Sequence, residues 1–202
     1  KLFTGMYSAD VALFDSYYQQ QHTKKDAAFP HRFIFMGRYT LLKGILELWE
    51  AFTSLSEDER GDWELWCLGK GELEDQLPKH PAVKNIGFVQ PSALAPWLEQ
   101  TGVFILPAHY EHWGVAVHEF AAAGFPLICS TTTSAATAFL EEGKNGFFTT
   151  PKSTASIREV LLKIIALSDE QLIAMGRKST EYAQRITPDT WSDTLWNIVN
   201  EN

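Results

Sequence analysis

The sequence contains little cysteine, no long hydrophobic run and no excess of positive charge, and each shortage excludes a class of protein. Its two cysteines, Cys67 and Cys129, each lie inside an apolar run, which predicts buried free thiols in a reducing compartment. No segment approaches the roughly 18 apolar residues that a membrane-spanning helix needs, and Lys1–Asp10 does not resemble a signal peptide. We therefore expect a cytoplasmic protein without a membrane span.

The charge balance is acidic, with 17 Lys and Arg against 25 Asp and Glu and a formal net charge of −8. Nonspecific nucleic-acid binding depends on neutralising phosphates, so no nucleic-acid partner is expected. An anionic ligand would need basic residues placed locally. The 202 residues are 45% apolar and 21% charged, which is ordinary for a globular protein and excludes a disordered or fibrous chain. The length suits one domain or two small ones.

Apolar runs of strand length alternate with helical patterns after Pro30. The predicted strands are Arg32–Met36, Trp63–Leu68, Val83–Phe88, Val103–Leu106 and Pro126–Ser130. Near-continuous apolar strands that alternate with helices indicate a parallel sheet covered on both faces. The sequence therefore predicts an α/β domain with a doubly wound, Rossmann-like parallel sheet and a helical C-terminal tail.

Capping and turn residues predict several boundaries. Ser92 is a candidate N-cap for the helix that follows it. Ser168 and Gln171 have the spacing of a capping box at the start of a later helix. A turn is expected at Gly143–Gly146, and only helices are expected after Pro151.

In an open parallel sheet, ligands bind outside the carboxyl ends of the strands, so the loops that follow strands are informative. The first such loop, Gly37–Gly44, places Arg38 directly after a strand and Lys43 at the start of a helix. Two cations beside a helix N-terminus, which itself favours anions, would suit a diphosphate. The alternative, which this loop alone leaves open, is two solvated surface charges.

A second loop, Pro107–Gly114, carries Glu111, and Glu119 lies eight positions further on, inside the next helix. Gly114 would let a backbone amide approach a ligand closely. Carboxylates around such a helix start are reasonable if they accept hydrogen bonds from sugar hydroxyls while the amides hold phosphates. Spacing alone also allows two solvated carboxylates. A third, glycine-rich loop at Gly69–Glu72 matches no nucleotide-binding motif and is weak on its own.

Two other kinds of site fit the same region less well. His109, His112 and His118 lie close in sequence to Glu111 and Glu119, as metal ligands can. No H-E-x-x-H motif and no i, i+4 histidine pair presents two ligands on one helix face, so ordinary histidines are expected and no metal ligand is assigned. The G-x-S-x-G turn of a serine nucleophile is also missing.

Four segments together resemble the C-terminal, donor-binding domain of the group 1, or family 4, retaining glycosyltransferases of the GT-B fold. They are Phe33–Phe52, Trp63–Leu77, Asn85–Ser130 and Glu141–Phe148. The E-x7-E pair, at the proper distance from the G-R…K-G loop, makes the resemblance specific, and it covers nearly the whole chain. It implies a fold that is one half of a GT-B architecture.

The resemblance also implies roles for single residues. Arg38 and Lys43 match the basic pair that grips the donor diphosphate and stabilises the leaving group, and Glu111 matches a carboxylate that binds the donor sugar; these three are the expected catalytic residues. Glu119 matches the carboxylate that binds the ribose. The other positions implied to contact the donor are Gly37, Phe88, Val89, His112, Trp113, Gly114 and Val115. The resemblance implies no metal or other cofactor, and a nucleoside-diphosphate sugar is the expected substrate.

The family has an N-terminal Rossmann-like domain that supplies the acceptor site, and nothing in this sequence resembles it. We expect residues 1–30 to lead in from that domain, residues 31–186 to bind the donor, and residues 187–202 to form a helix that crosses back, with Trp191 and Trp196 partly exposed. The isolated chain is then expected to bind nucleotide weakly and to transfer no sugar. Any membrane association is expected of the missing half.

Several functional questions stay open on the sequence alone. The family's common Glu-Gly-Phe-Gly has His112 and Trp113 here, and His112 beside the sugar site bears on donor choice. The expected acceptor is a glycan or lipid-linked molecule of glycan or cell-surface polysaccharide synthesis, and neither it nor the donor is identified. Two alternatives to a transferase are a sugar-nucleotide epimerase of the GT-B fold and a non-catalytic module that binds nucleotide sugars.

Overall fold

A computed structural model of the chain describes residues 7–200. Residues 1–6 and 201–202, the outer ends of the predicted lead-in segment and crossing helix, lie outside the described residues. The strands are β1 (Arg32–Met36), β2 (Glu64–Leu68), β3 (Val83–Gly87), β4 (Val103–Leu106), β5 (Leu127–Ser130) and β6 (Gly146–Thr149). The helices are α1 (Val11–Ala27), α2 (Ile45–Thr53), α3 (Glu57–Arg60), α4 (Ala95–Gln100), α5 (Val115–Ala122), α6 (Ala136–Phe139), α7 (Thr154–Ile165), α8 (Asp169–Ala183) and α9 (Pro188–Asn200).

Within the described residues the strands form one parallel sheet in the order β3-β2-β1-β4-β5-β6. Strand β1 lies at the centre, where Ile34 pairs with Trp66 of β2 on one side and with Phe104 of β4 on the other. The chain runs outward from β1 in both directions, so the strand order reverses between β1 and β4. The predicted doubly wound, Rossmann-like α/β fold is confirmed.

Helices cover both faces of this sheet. Helices α2, α3 and α7 pack together on one face, and α1, α5 and α8 pack together on the other. Strand side chains on both faces are consequently buried, as in the stacked pair Phe104 and Phe120, whose ring centroids are 4.1 Å apart. Such near-continuous apolar strands need cover on both faces, which is why the sequence pattern identified them.

Both cysteines are free and buried within the sheet, as predicted. Burial raises the pKa of the Cys67 thiol to about 12 and also raises that of Cys129. The indole N–H of Trp49 donates to Sγ of Cys67 over 3.4 Å. The thiolate is the reactive form of cysteine, and these raised pKa values keep both thiols protonated at neutral pH. Both cysteines therefore serve as packing residues.

Helix α1 does not appear in the sequence pattern, which is mixed and polar over the first thirty residues. Its buried positions are Val11, Phe14, Gln21 and Lys25, so two of the four are polar and the apolar face is incomplete. Lys25 Nζ lies 3.8 Å above the ring centroid of Phe125, and burial lowers the pKa of this lysine to about 7. The helix is therefore held by tertiary packing on α5 and α8, and the spacing of its apolar residues does not predict this packing.

The turn expected at Gly143–Gly146 is present over residues 143–145, but the sequence did not indicate the sixth strand, β6, which begins at Gly146. The central pair of phenylalanines of β6 is only half-buried because the strand lies at the sheet edge. One local prediction is wrong. Ser92 is not an N-cap, because it lies inside a 3-10 turn at Pro91–Ala93 and Leu94 precedes α4. The capping box of Ser168 and Gln171 is present, with reciprocal hydrogen bonds of 2.9 and 3.4 Å.

Helix α9 exposes apolar side chains to solvent along most of its length. Trp191 is 44% exposed and Trp196 is 70% exposed, as expected from the sequence. Thr187 Oγ1 accepts the N–H of Thr190 over 3.2 Å and so caps the helix start. Over residues 7–200, no helix combines the length and apolar character that crossing a membrane requires.

Candidate functional site

Two adjoining cavities open at the carboxyl edge of the sheet, around the point where the strand order reverses. The β3-side cavity has a volume of about 500 Å³ and the β4-side cavity one of about 590 Å³. They share the walls formed by Met36, Gly37, Arg38 and Glu119. Every site residue that the sequence predicted lines one cavity or the other, so the fold brings the whole predicted set together.

The β3-side cavity is mainly apolar. Phe88 and Val89 line it, and Phe14 of α1 and Leu94 complete its walls. Phe14 is 3% exposed whereas Phe88 is 62% exposed, so one aromatic ring is fixed in the core and the other stands free at the opening. A cleft of this size with apolar walls and charged groups at its rim suits a flat ring with polar substituents.

Phe14 and Lys70 are among the wall residues that the sequence missed. Phe14 gave no signal, because α1 shows no apolar periodicity. Lys70 also lines the β3-side cavity, together with Arg38. The glycine-rich loop that carries Lys70 matched no known motif in the sequence. Its glycines were nevertheless informative, because they mark a close contact between the loops that follow two strands.

That close contact positions Arg38. A Cβ on Gly69 would lie 1.9 Å from the carbonyl oxygen of Gly37, so the loops after β1 and β2 touch backbone to backbone. Tyr39 is fully buried beside them and donates from its hydroxyl to the carbonyl of Cys67 over 2.9 Å. With Tyr39 anchored below, the preceding residue Arg38 faces the shared opening of the two cavities.

Lys43 and Glu111 form an ion pair in the β4-side cavity. Lys43 ends a 3-10 turn at Leu41–Lys43, directly before α2. Glu111 is held by its backbone, which donates to the carbonyl of Thr132 over 3.2 Å and accepts the N–H of Ser134 at the same distance. The sequence assigned these two residues separate roles, and in this structure their side chains are paired with each other.

Glycine at position 44 is required for this arrangement. Gly44 has a φ of +67°, and a Cβ there would lie 2.0 Å from the carbonyl oxygen of Pro107. The backbone at the start of α2 therefore lies in direct contact with the backbone of the loop that carries Glu111. This contact brings Lys43 within reach of Glu111.

Glu119 lies on α5 and faces both cavities. Among residues 7–200, no side-chain or backbone donor forms a hydrogen bond with its carboxylate. Partial burial raises the pKa of Glu119, and the nearby charge of Asp10 raises it further. A half-buried carboxylate without a donor is costly in the free protein and ready to accept hydrogen bonds from ligand hydroxyls.

The N-terminus of α5 also faces the β4-side cavity. Gly114 precedes the helix with a φ of +88°, and Trp113, Gly114 and Val115 line the cavity. The first backbone N–H groups of a helix have no acceptor within it, and the helix dipole adds positive potential there. This end of α5 can hold a negatively charged group.

The three histidines near these carboxylates point to different places. His109 Nε2 lies 2.8 Å from Oε1 of Glu47, His112 packs edge-on against Tyr110, and His118 lies on the buried face of α5. Burial lowers the pKa of His118. In the part of the chain that the structure describes, no three His, Cys, Asp or Glu side chains are grouped to hold a metal ion.

Comparison with known proteins agrees with this architecture. The family model described as "Glycosyl transferases group 1" matches residues 19–183. The glycogen synthase of Mycobacterium tuberculosis is 27% identical over 167 residues, which are 79% of this chain and 39% of that protein. The 2-deoxystreptamine N-acetyl-D-glucosaminyltransferase of Niallia circulans is 25% identical over 142 residues, 65% of this chain and 35% of that protein. The chain thus spans less than half the length of either relative.

Solved structures share the fold. HepE of Anabaena, in complex with UDP, matches with a TM-score of 0.76 at 16% identity, over 96% of this chain and 56% of that one. The C-terminal domain of a group 1 glycosyl transferase, LpcC, from Francisella tularensis matches with a TM-score of 0.70 at 19% identity, over 88% of this chain and 97% of that one. The chain belongs to the group 1 glycosyl transferases and has the fold of their GT-B C-terminal domain.

Proposed function

We propose that this chain is the donor-binding part of a retaining glycosyltransferase, which moves a sugar from a nucleoside-diphosphate sugar to a glycan or lipid-linked acceptor. One observation carries the proposal. Arg38, the Lys43–Glu111 pair and Glu119, whose carboxylate accepts no hydrogen bond from the described residues, surround adjoining cavities at the strand ends. Cations, a helix N-terminus and carboxylates together match a ligand with both phosphates and hydroxyls.

The two cavities divide such a ligand between them. The base would lie in the apolar β3-side cavity against Phe88 and Val89, and the ribose hydroxyls would donate to Glu119 at the shared wall. The diphosphate would lie between Arg38 and the first amides of α5. The sugar would then reach the β4-side cavity, beside Glu111 and the backbone at His112–Val115.

Catalysis in this arrangement is electrostatic. When the bond between the sugar and the diphosphate breaks, negative charge develops on the phosphate oxygens. Arg38, Lys43 and the α5 amides are fixed groups aimed at that charge, and such preorganised groups contribute the largest part of many enzymatic rate enhancements. In this proposal side chains and helix amides supply the positive charge, and no metal ion is assigned a role.

Donor binding must separate Lys43 from Glu111. In the free chain the ammonium and the carboxylate neutralise each other, and neither is more than about one-quarter exposed, with side-chain exposures of 27% and 16%. A diphosphate competes for Lys43 and leaves Glu111 free to accept hydrogen bonds from the sugar. One exchange of partners then prepares both ends of the reacting bond.

The acceptor side is assigned to protein outside this chain. The chain spans 39% of the mycobacterial glycogen synthase, and its described cavities account for the donor alone. We expect the isolated chain to bind nucleotide and to transfer no sugar. Sustained transfer by these 202 residues would contradict this division.

Titration calorimetry with UDP, GDP and ADP tests the proposal, with UDP first because HepE was solved with it. We expect saturable binding of one nucleotide. Since a hydrogen bond to a charged group contributes about 1.5–3 kcal/mol, Arg38→Ala should weaken that binding roughly 10- to 100-fold. Lys79→Ala, which removes an exposed cation outside both cavities, should change it little. No binding of any nucleotide, or equal loss in both variants, would refute the proposed site.

A further inference from the structure

His109 lies beside the proposed site, but the proposed function does not use it. Its Nε2 is 2.8 Å from Oε1 of Glu47, and the two side chains are only 12% and 20% exposed. Neither residue lines either cavity. The pair therefore lies behind the site, where it can act on the residues that line it.

The pair joins the same two segments as Lys43 and Glu111 do. Glu47 lies in the first turn of α2 and Lys43 lies four residues earlier, in the 3-10 turn that leads into this helix, and His109 precedes Glu111 by two residues in the loop after β4. The backbone N–H of His109 also donates to the carbonyl of Leu42 over 2.9 Å. Three interactions thus link the start of α2 to the loop after β4: the two side-chain pairs and this backbone hydrogen bond.

The two side-chain pairs differ in what a ligand does to them. Lys43–Glu111 lines the β4-side cavity, so a bound diphosphate sugar would separate it. Glu47–His109 lies outside the cavities and would persist. Within residues 7–200, Oε2 of Glu47 is buried without a hydrogen-bond partner, so His109 is the group that satisfies this carboxylate. A buried carboxylate with one partner strongly resists losing it.

We propose that His109 and Glu47 are a positioning pair, which keeps the Glu111 loop in register with α2 after the donor has separated Lys43 from Glu111. Neither residue touches the donor. The pair acts through Glu111, and the inference rests on the proposed function, in which Glu111 binds the donor sugar.

The first test compares UDP with UDP-glucose in calorimetry. In His109→Ala, Lys43 keeps its place in the turn before α2, so UDP should bind within about twofold of the wild type or more tightly. UDP-glucose should lose about tenfold, because Glu111 no longer meets the sugar. His109→Gln keeps a side-chain N–H for Glu47 and should restore most of that loss, and His22→Ala on α1 is the matched control. Equal weakening of both ligands by His109→Ala, or no rescue by glutamine, would overturn the inference.

A second measurement needs no ligand. Trp113 follows Glu111 by two residues, so its indole N–H resonance in a 15N–1H spectrum, assigned with Trp113→Phe, reports the position of the loop. It should shift in His109→Ala and Glu47→Ala and return in His109→Gln, while the resonance of Trp63 stays fixed. Unchanged Trp113 resonances would refute the positioning role. If the wild type bound neither UDP nor UDP-glucose, this spectrum alone would decide whether the pair positions the loop, and the proposed function would fail only if GDP and ADP did not bind either.

Discussion

The backbone N–H of Ala9 donates to Nδ1 of His118 over 3.0 Å, and Nε2–H of the same ring donates to the carbonyl of Ala183 over 2.9 Å. One nitrogen accepts and the other donates, so these partners specify the neutral Nε2–H tautomer. The ring also stacks on Phe139, with centroids 4.0 Å apart. A proton on Nδ1 would oppose the Ala9 N–H inside the core.

This geometry predicts a loss of stability in acid. Burial lowers the pKa of His118 in the folded chain, so below the ordinary histidine pKa of about 6.5 the unfolded chain binds a proton that the folded chain refuses. Stability from this group is complete above that pH and falls as the pH drops below it. His118→Gln can both accept from Ala9 and donate to Ala183 but does not titrate. Between about pH 7.5 and pH 5.5, its free energy of unfolding in urea should decline less than that of the wild type; parallel declines would contradict this assignment.

Glu119 predicts a conflict between stability and binding. Burial and the charge of Asp10 raise its pKa, so the ionised carboxylate destabilises the free chain at neutral pH, and stability from this group rises as the pH falls and the carboxyl is protonated. Glu119→Gln removes that cost and should raise the melting temperature at pH 7. The same change should weaken nucleotide binding roughly 10- to 100-fold, since a charged acceptor is lost. Asp193→Asn, exposed on α9, is the control and should alter neither quantity appreciably.

A pair of glycine substitutions can isolate the contact at the start of α2. Gly44→Ala adds a Cβ 2.0 Å from the Pro107 oxygen, whereas Gly143→Ala, at a similar φ of +73°, meets nothing within 4 Å. Both pay about 1–3 kcal/mol for the left-handed backbone. Only Gly44→Ala should exceed that cost in denaturant unfolding and also reduce nucleotide binding. Equal costs in the two variants would show that the contact with Pro107 is loose.

Much of the fold could be predicted because its central strands are recognisable in the sequence as short apolar runs. Strand β4 is buried on both faces and is apolar at every position, and β5 departs from this pattern only at Ser130. Helix α1 could not be found in this way, since Gln21 and Lys25 occupy buried positions that a pattern expects to be apolar. Strand β6 was missed because an edge strand is short and half-buried, and its start at Gly146 reads as a turn.

The site was predictable as a set of residues rather than as a set of contacts. Strand ends converge in a parallel sheet, so Arg38 and Glu119 could be assigned to one region from their positions alone. The pairing of Lys43 with Glu111, and of Glu47 with His109, depends on how closely α2 approaches the next loop. That distance is set by Gly44 against Pro107, which are distant in sequence.

Phe14 serves the ligand cavity and the core at once. Its ring lines the β3-side cavity, yet it is 3% exposed and packs edge-on against Tyr17 within the layer that α1 forms over the sheet. Reshaping this wall for a differently sized base would therefore leave a void or an overpacked site in the core, with a typical cost of 1–3 kcal/mol or more. In evolution, a change of nucleotide preference through position 14 would require compensating substitutions on α1, whereas Phe88, free at the opening, could vary on its own.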